Sequence, residues 1–360
     1  LAHEISHVNQ QHLARGIMAA KSQSITSLAS LALMLLAVRS GQAGQIAQGA
    51  SAAIDAANIQ SQLGYSRDFE READRVGFQA LTKAGYDPRG MADFFERLQK
   101  STALYENNAP VYLRTHPLTT ERISDMQGRA HGTNYRQVRD SLEFYLVRAK
   151  LRTLEFAPQD ALAEFEHQLR ERRFTHEPAV WYGIARAQLR LGRPSEADKA
   201  LGQARKLAPP DPMFDVLAAE IRQAEKDLSG ATQIYREAYK RYPNDEAIAL
   251  GLVAVLQLQG QNEAALQIIE KRLRSGGARD PKLYKLQAHS YAALGKTVQS
   301  RRATAELYAL NGQTQAAVEQ LELAQRETKN FYDQSMIDTR LKALRIQVME
   351  ERKMAGQSPF

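Results

Sequence analysis

Residues 178–211, PAVWYGIARAQLRLGRPSEADKALGQARKLAPPD, contain the pattern that decides the fold of most of this chain. Pro178, Pro212 and Pro281 open similar segments, which start 34 residues apart and then 69 residues apart, or 34 plus 35. The quoted stretch is rich in Ala, Leu, Gln and Arg, residues that favour helix over strand. The sequence therefore predicts a repeating helical unit of about 34 residues.

Small and large residues recur at matching places within these segments, and a period of 34 is typical of tetratricopeptide repeats. Small residues are expected where the two helices of one hairpin cross, and large residues between hairpins. Segments 144–177 and 316–350 are expected to be degenerate capping units, which repeat arrays require. The matching positions are Trp181, Ala185, Gly192, Ala197, Leu201, Ala204 and Pro209; then Ala219, Ala231, Tyr235, Ala238 and Pro243; then Gly260 and Ala265; and finally Tyr284, Ala288, Tyr291 and Gly295.

Composition limits the classes of protein to which the chain can belong. Of its 360 residues, 43% are hydrophobic and 25% are charged, as in a globular protein. The net charge of +7 comes from dispersed residues, so a nucleic-acid surface is not predicted. With no cysteine, disulfides and thiolate metal sites are excluded. We predict a mainly α protein with three parts: a metal-site domain over 1–140, a repeat array over 141–350, and a tail over 351–360.

The first helix, predicted over 1–21, begins with His3-Glu4-Ile5-Ser6-His7, an HExxH motif. Histidines four residues apart lie on one helix face, so both imidazoles can bind one Zn²⁺. Glu4 is then the candidate general base that takes a proton from a metal-activated water. The alternative is a surface helix that carries two histidines by chance.

A third ligand is expected from the helix predicted over Ser66–Ala84, because a catalytic zinc needs three protein ligands. Glu70 and Asp74 are four residues apart and share a face, whereas Glu72 points away. Glu70 can therefore ligate the metal while Asp74 orients a ligand histidine. The alternative is an amphipathic helix with solvated acids.

Two segments leave their interpretation open. Ser22–Val38 has no charged residue, which permits a buried or lid-like helix, a membrane-interfacial or substrate-contacting helix, or a membrane span.

The chain starts at Leu1 with a motif at residue 3, so we expect further chain upstream, and a signal peptide is not seen. His116 lies in a Pro-bounded loop, and His12 is interpreted as structural.

The motif with Glu70-Arg-Glu-Ala-Asp74 resembles the HExxH…ExxxD zinc metallopeptidases, or gluzincins, which include the CAAX prenyl protease and HtpX groups. With His116-Pro117, Arg122 and the repeats, the chain is similar to periplasmic members that act in outer-membrane β-barrel assembly. The resemblance implies that His3, His7 and Glu70 are the zinc ligands, Glu4 the general base and Asp74 a residue behind a ligand. It also implies that His116 is a candidate fourth ligand or latch.

The resemblance implies a zinc-dependent endopeptidase in the periplasm. Its expected partners are unfolded or misfolded outer-membrane proteins and the β-barrel assembly complex. Peripheral contact with a membrane is also possible, and no nucleic-acid partner is expected. Family members place strands before the HExxH helix, so domain 1–140 is expected to be N-terminally incomplete. The competing hypothesis is a non-enzymatic chaperone or scaffold with a latched or vestigial metal site.

Overall fold

The computed structural model describes residues 1–18, 67–102 and 116–354, which belong to two compact units, Leu1–Arg139 and Asp140–Phe360. Within those described ranges there are 17 α-helices and no strand. The prediction of a mainly α fold is therefore confirmed. The uncharged stretch Ser22–Val38 lies outside the described residues.

None of the helices in the described part of the chain combines the length and apolar character needed to cross a bilayer.

The first unit contains five described helices. The prediction of one continuous helix over 1–21 is wrong, because the chain breaks at Gln10 and Gln11, where Gln11 has a φ of 54°. The loop expected before Pro117 lies largely outside the described residues. The helices are α1 (Ala2–Asn9), α2 (12–18), α3 (67–83), α4 (Arg89–Thr102) and α5 (Thr120–His131).

A small apolar core and one glycine hold the helices of this unit in place. Phe95 of α4 and Met126 of α5 are buried in a cluster that also packs against Phe78 of α3. At Gly77 of α3, an added Cβ would lie 3.1 Å from the backbone nitrogen of His3. The missing side chain therefore lets the backbone of α1 approach α3 closely, which brings the HExxH motif against α3.

The second unit is a run of antiparallel helices in which each helix packs against the next. This confirms the tetratricopeptide-type architecture that the 34-residue period predicts. The last helix continues past residue 350 to Met354, so the segment expected as a tail is helical at its start. The helices are α6 (Leu142–Glu155), α7 (Pro158–Arg170), α8 (Glu177–Arg190), α9 (Pro194–Leu207), α10 (Pro212–Ala224), α11 (Leu228–Arg241), α12 (Glu246–Leu258), α13 (Asn262–Arg274), α14 (Pro281–Ala293), α15 (Thr297–Leu310), α16 (Thr314–Glu327) and α17 (Phe331–Met354).

The caps of the helices explain why the period is visible in the sequence. Asp211, Asp245 and Asp280 precede α10, α12 and α14, and each side chain accepts a hydrogen bond from a backbone N–H of the first turn. Such caps stabilise a helix start by about 0.5–2 kcal/mol. The alanines of the pattern other than Ala288 are fully buried, as at Ala185 and Ala204.

The buried apolar residues of the array form three successive clusters. The first runs from Leu146 to Ile221, the second from Ala219 to Leu283, and the third from Ala305 to Leu344. Helix α14 buries only Leu283 and Ser290, and Gln257 Nε2 donates to Ser290 Oγ at 2.7 Å. Between the second and third clusters, α14 is thus held partly by a polar contact.

The turn between the two helices of a hairpin uses a left-handed residue at a fixed place. Gly192, Gly260 and Gly295 have φ values of 71°, 73° and 70°. Lys226 occupies the same place in the intervening hairpin, with a φ of 63°. A non-glycine residue in this region is strained by roughly 1–2 kcal/mol, because its Cβ approaches the following carbonyl oxygen.

We expect Lys226→Gly to raise the free energy of unfolding by about 0.5–1 kcal/mol, since relief of this strain exceeds the entropy cost of glycine. The matched change Gly192→Lys places a side chain at the same turn of the preceding hairpin and is expected to destabilise by about 1 kcal/mol. Urea unfolding followed by circular dichroism measures both. Equal midpoints for both variants and the unaltered protein would contradict the strain argument.

Candidate metal centre

The two predicted motif helices, α1 and α3, bring their histidine and carboxylate side chains to one point. His3 and Glu70 are buried, at 6% and 3% exposure, while His7 is partly buried. His116, just before α5, joins them. One donor atom from each of these four residues lies within 4.8 Å of the others.

The spacing of the donors suits a tetrahedral ion. The Nε2 atoms of His3 and His7 are 3.1 Å apart. They lie 3.4 Å and 3.3 Å from the two carboxylate oxygens of Glu70. Tetrahedral zinc with ligands at about 2.0–2.1 Å separates neighbouring donor atoms by about 3.3 Å. Two neutral imidazoles and a carboxylate are also a donor set that zinc accepts, so the residues fit the metal.

Asp74 lies one turn beyond Glu70 and faces the outer nitrogen of His3, with Oδ1 at 2.8 Å from His3 Nδ1. This carboxylate keeps the imidazole N–H on Nδ1 and turns Nε2 towards the centre. Asp74 is only 1% exposed, which excludes the alternative of solvated acids for this helix face. Its assignment as an orienting residue stays a prediction that this geometry supports.

Arg122 of α5 is a site residue whose role the sequence did not reveal. Its Nε and Nη2 atoms donate to the two oxygens of Asp74 at 2.6 Å and 2.8 Å, and Nη1 lies 2.8 Å from Glu70 Oε2. The Nη1 atom also donates to the carbonyl oxygen of Pro117 at 2.8 Å. The guanidinium therefore neutralises two buried carboxylates and fixes the segment that carries His116. A buried charge of this kind requires such partners.

Glu4 lies on the accessible side of the site, with 45% of its side chain exposed. Its Oε2 atom is 3.8 Å from Nε2 of His116, whose Nδ1 atom is 2.9 Å from Glu70 Oε1. His116 thus stands between the candidate base and the candidate ligand carboxylate. Glu4 and His116 both lie beside the predicted ligands, and their chemical roles stay predictions.

Electrostatics shift the pKa values of His3, His7 and Glu70 in the metal-free protein. Burial opposes protonation of His3, but its contacts with Asp74 and Glu70 prevail and raise the pKa of His3 to about 9. Burial lowers the pKa of His7, and the attraction of Glu70 does not restore it. Burial would raise the pKa of Glu70, yet His3, Arg122 and His116 hold it below its usual range. The site therefore offers a carboxylate and a neutral imidazole, with a proton on His3.

His12 is the second site residue that the sequence analysis did not place. It is 4% exposed, and its Nδ1 atom lies 2.9 Å from Nδ1 of His7. Its Nε2 atom lies 3.3 Å from Oε2 of Glu72, the acid predicted to point away from the metal. Glu72 does point away from the metal, but it contacts His12, which lies behind the candidate ligand His7. The break at Gln11, which a continuous-helix prediction omits, is what brings His12 there.

The proton on His3 predicts how metal affinity depends on pH. If His3 is a ligand of Zn²⁺, the ion has to displace this proton, and apparent affinity should increase about tenfold per pH unit between pH 7 and pH 9 and then level off. In the metal-free protein the same proton stabilises the fold at neutral pH, and this contribution is lost as the pH rises through about 9. Calorimetric titration of Zn²⁺ in buffers of different ionisation enthalpy measures the released proton. An affinity that is constant from pH 7 to 9 would contradict the assignment.

Each of the two units contains a match to a known protein family. Residues 1–130 match the model of peptidase family M48, and residues 223–289 match a tetratricopeptide-repeat model. The chain is 30% identical over 347 residues to the beta-barrel assembly-enhancing protease of Escherichia coli strain K12, an alignment that covers 96% of this chain and 70% of that protein. The Yersinia pestis protein of that name is 29% identical over 347 residues, with 96% and 71% covered.

A putative beta-barrel assembly-enhancing protease of Vibrio cholerae is 30% identical over 322 residues, covering 89% of this chain and 66% of that protein. These similarities extend across both the peptidase unit and the repeats, in the same order. The chain therefore belongs to the family of the β-barrel assembly-enhancing proteases, M48 metalloproteases whose peptidase unit is followed by tetratricopeptide repeats.

Proposed function

We propose that this metalloprotease is a zinc-dependent endopeptidase of the periplasm that degrades misfolded or stalled outer-membrane β-barrel proteins and assists their assembly. One observation carries the proposal. Donor atoms of His3, His7, Glu70 and His116 converge within 4.8 Å, with Glu4 beside them. The names of the relatives from three bacteria support the barrel-protein substrate and, through it, the periplasm.

In this proposal His3, His7 and Glu70 hold Zn²⁺, and Asp74 holds the imidazole of His3 in the orientation needed for binding. When bound by these residues, Zn²⁺ would supply Lewis acidity to activate a water and polarise the substrate carbonyl. Glu4 accepts the proton of the attacking water and afterwards delivers it to the leaving amine. Arg122 acts indirectly, because its contacts keep Asp74 and Glu70 ionised and in place.

His116 is proposed to act as a latch. Its ring contacts Glu70 at 2.9 Å and lies near Glu4, so it occupies the side from which a substrate carbonyl and the base must approach each other. A catalytic zinc site needs one position that the protein leaves open. The ring of His116 would stand at that position, so a substrate would have to displace the histidine.

The repeats are proposed to hold segments of client proteins or of the assembly machinery. A cleft of about 560 Å³ lies among α14, α15 and α17, and its lining includes Tyr284, Tyr291 and Arg302. This volume suits a few side chains of an extended segment. Aromatic side chains with a polar end are enriched at protein–protein interfaces.

Glu4→Gln tests the enzyme role. The variant should retain stoichiometric zinc, because Glu4 is not a ligand in the proposal, and lose at least about 100-fold of its proteolysis of an unfolded barrel protein. Metal content and the rate of substrate cleavage are measured on the same preparation. Glu121→Gln changes an exposed carboxylate of the same unit and serves as the control.

Unaltered client degradation by Glu4→Gln would contradict the enzyme proposal and favour the scaffold hypothesis. The scaffold hypothesis locates function in the repeats, so substitutions at Tyr284 and Tyr291 would then abolish barrel assembly while the metal site remained dispensable.

His116→Ala tests the latch. Removal of the imidazole should increase the rate of client proteolysis several-fold, since substrate no longer competes with a protein donor for the open position. His131→Ala, at the exposed end of α5, is the matched control. A loss of proteolysis in His116→Ala with full zinc content would show that this histidine assists catalysis and would refute the latch.

A further inference from the structure

The two histidines of the HExxH motif are supported in different ways on the side away from the proposed metal. His3 faces the carboxylate of Asp74 directly, at 2.8 Å. His7 faces a second imidazole, that of His12, with the two Nδ1 atoms 2.9 Å apart. The His12 ring then reaches Glu72 through its other nitrogen, at 3.3 Å. Glu72, His12 and His7 thus form a continuous chain that ends at the candidate metal.

The break between α1 and α2 is what makes this chain of contacts possible. Residues five apart on a continuous helix differ by about 140° in direction, so His12 would face away from His7. Gln11 instead adopts a φ of 54°, an uncommon value for a side chain of this kind. The centres of the His7 and His12 rings lie 4.8 Å apart as a result.

The ring of His12 is held firmly in its orientation. It stacks on Phe69 of α3 with centroids 4.6 Å apart and an interplanar angle of 13°. Oε2 of Glu72 also accepts a hydrogen bond from Nη1 of Arg15 at 2.9 Å, and the Arg15 guanidinium lies 4.8 Å above Phe69. These contacts join α2 to α3 and fix both ends of the link between Glu72 and His12.

The proton positions along this chain are determined by its anionic end. Oε2 of Glu72 accepts a hydrogen bond from Nη1 of Arg15 and faces Nε2 of His12, so the carboxylate is the acceptor in both contacts. A neutral His12 imidazole that donates from Nε2 to this carboxylate presents a lone pair at Nδ1. His7 in turn must donate from Nδ1, which leaves Nε2 without a proton. The reverse arrangement would set two lone pairs against each other between His12 and Glu72.

We propose that His12, fixed by Glu72, is a positioning residue that selects the tautomer of His7 in which Nε2 is free to bind the metal. The inference rests on the proposed role of His7 as a ligand. It assigns to Glu72, through one intervening imidazole, the task that Asp74 performs directly for His3. Support of a ligand histidine by an outer hydrogen bond changes metal affinity by about 10–100-fold in other proteins.

Three variants of the full chain test the proposal through the dissociation constant for Zn²⁺, measured by competition with a chromogenic chelator. His12→Phe keeps an aromatic ring against Phe69 but removes both nitrogens, and it should weaken binding by about 10–100-fold. His12→Asn keeps an acceptor near the position of Nδ1 and should retain more affinity than His12→Phe. Glu72→Met removes the anionic end and should weaken binding by about tenfold.

A second readout reports the tautomer itself and does not depend on activity. With ¹⁵N-labelled histidine, the metal-free protein should show His7 protonated at Nδ1, and His12→Phe should shift His7 towards a mixture of tautomers. His131→Phe, a matched change at an exposed histidine of the same unit, should leave both readouts unaltered.

Zinc binding by His12→Phe within twofold of the unaltered protein would overturn the proposal, as would an unchanged His7 tautomer. If His12→Phe does not fold, Glu72→Met decides, and unaltered affinity in that variant overturns the proposal equally. Failure of the metal-site proposal gives a different result, because His7→Ala would then bind zinc as tightly as the unaltered protein.

Discussion

The contact between Arg122 and Asp74 is the constraint on which the candidate metal centre depends. Both side chains are almost fully buried, and a lone charge there would be strongly unfavourable. The pair is satisfied only when α5 packs against α3, and the same carboxylate then reaches His3 on α1. One ion pair therefore joins the three helices that carry the site, and the small apolar core around Phe95 and Met126 supports it.

Local periodicity was sufficient for much of this arrangement. Two spacings of four residues, one at His3 and His7 and one at Glu70 and Asp74, indicated which side chains share a helix face, and a 34-residue period indicated the array. These features follow from the geometry of single helices. The sequence therefore predicted the residues that now cluster, before any information on how α1 and α3 pack.

The features that sequence analysis missed depend on tertiary contacts or on strained backbone. Arg122 was part of a family pattern, but its two carboxylate partners lie about 50 residues away. His12 seemed structural, because a continuous helix would direct it away from His7. Lys226 stands 34 residues from both Gly192 and Gly260, so the period marks its turn, but a lysine does not by itself indicate a left-handed conformation. Periodicity within a helix carries no information about where the helix breaks.

The interruption of the array's apolar interior at α14 has a mechanical consequence. Each hairpin touches only its neighbours, so an applied load concentrates where the cohesive contact is thinnest. Leu283 is the sole apolar residue that α14 fully buries, and the directional bond from Gln257 to Ser290 resists sliding but adds little cohesion. A pull on a polypeptide bound to the array is therefore expected to bend it first beside Tyr284 and Tyr291.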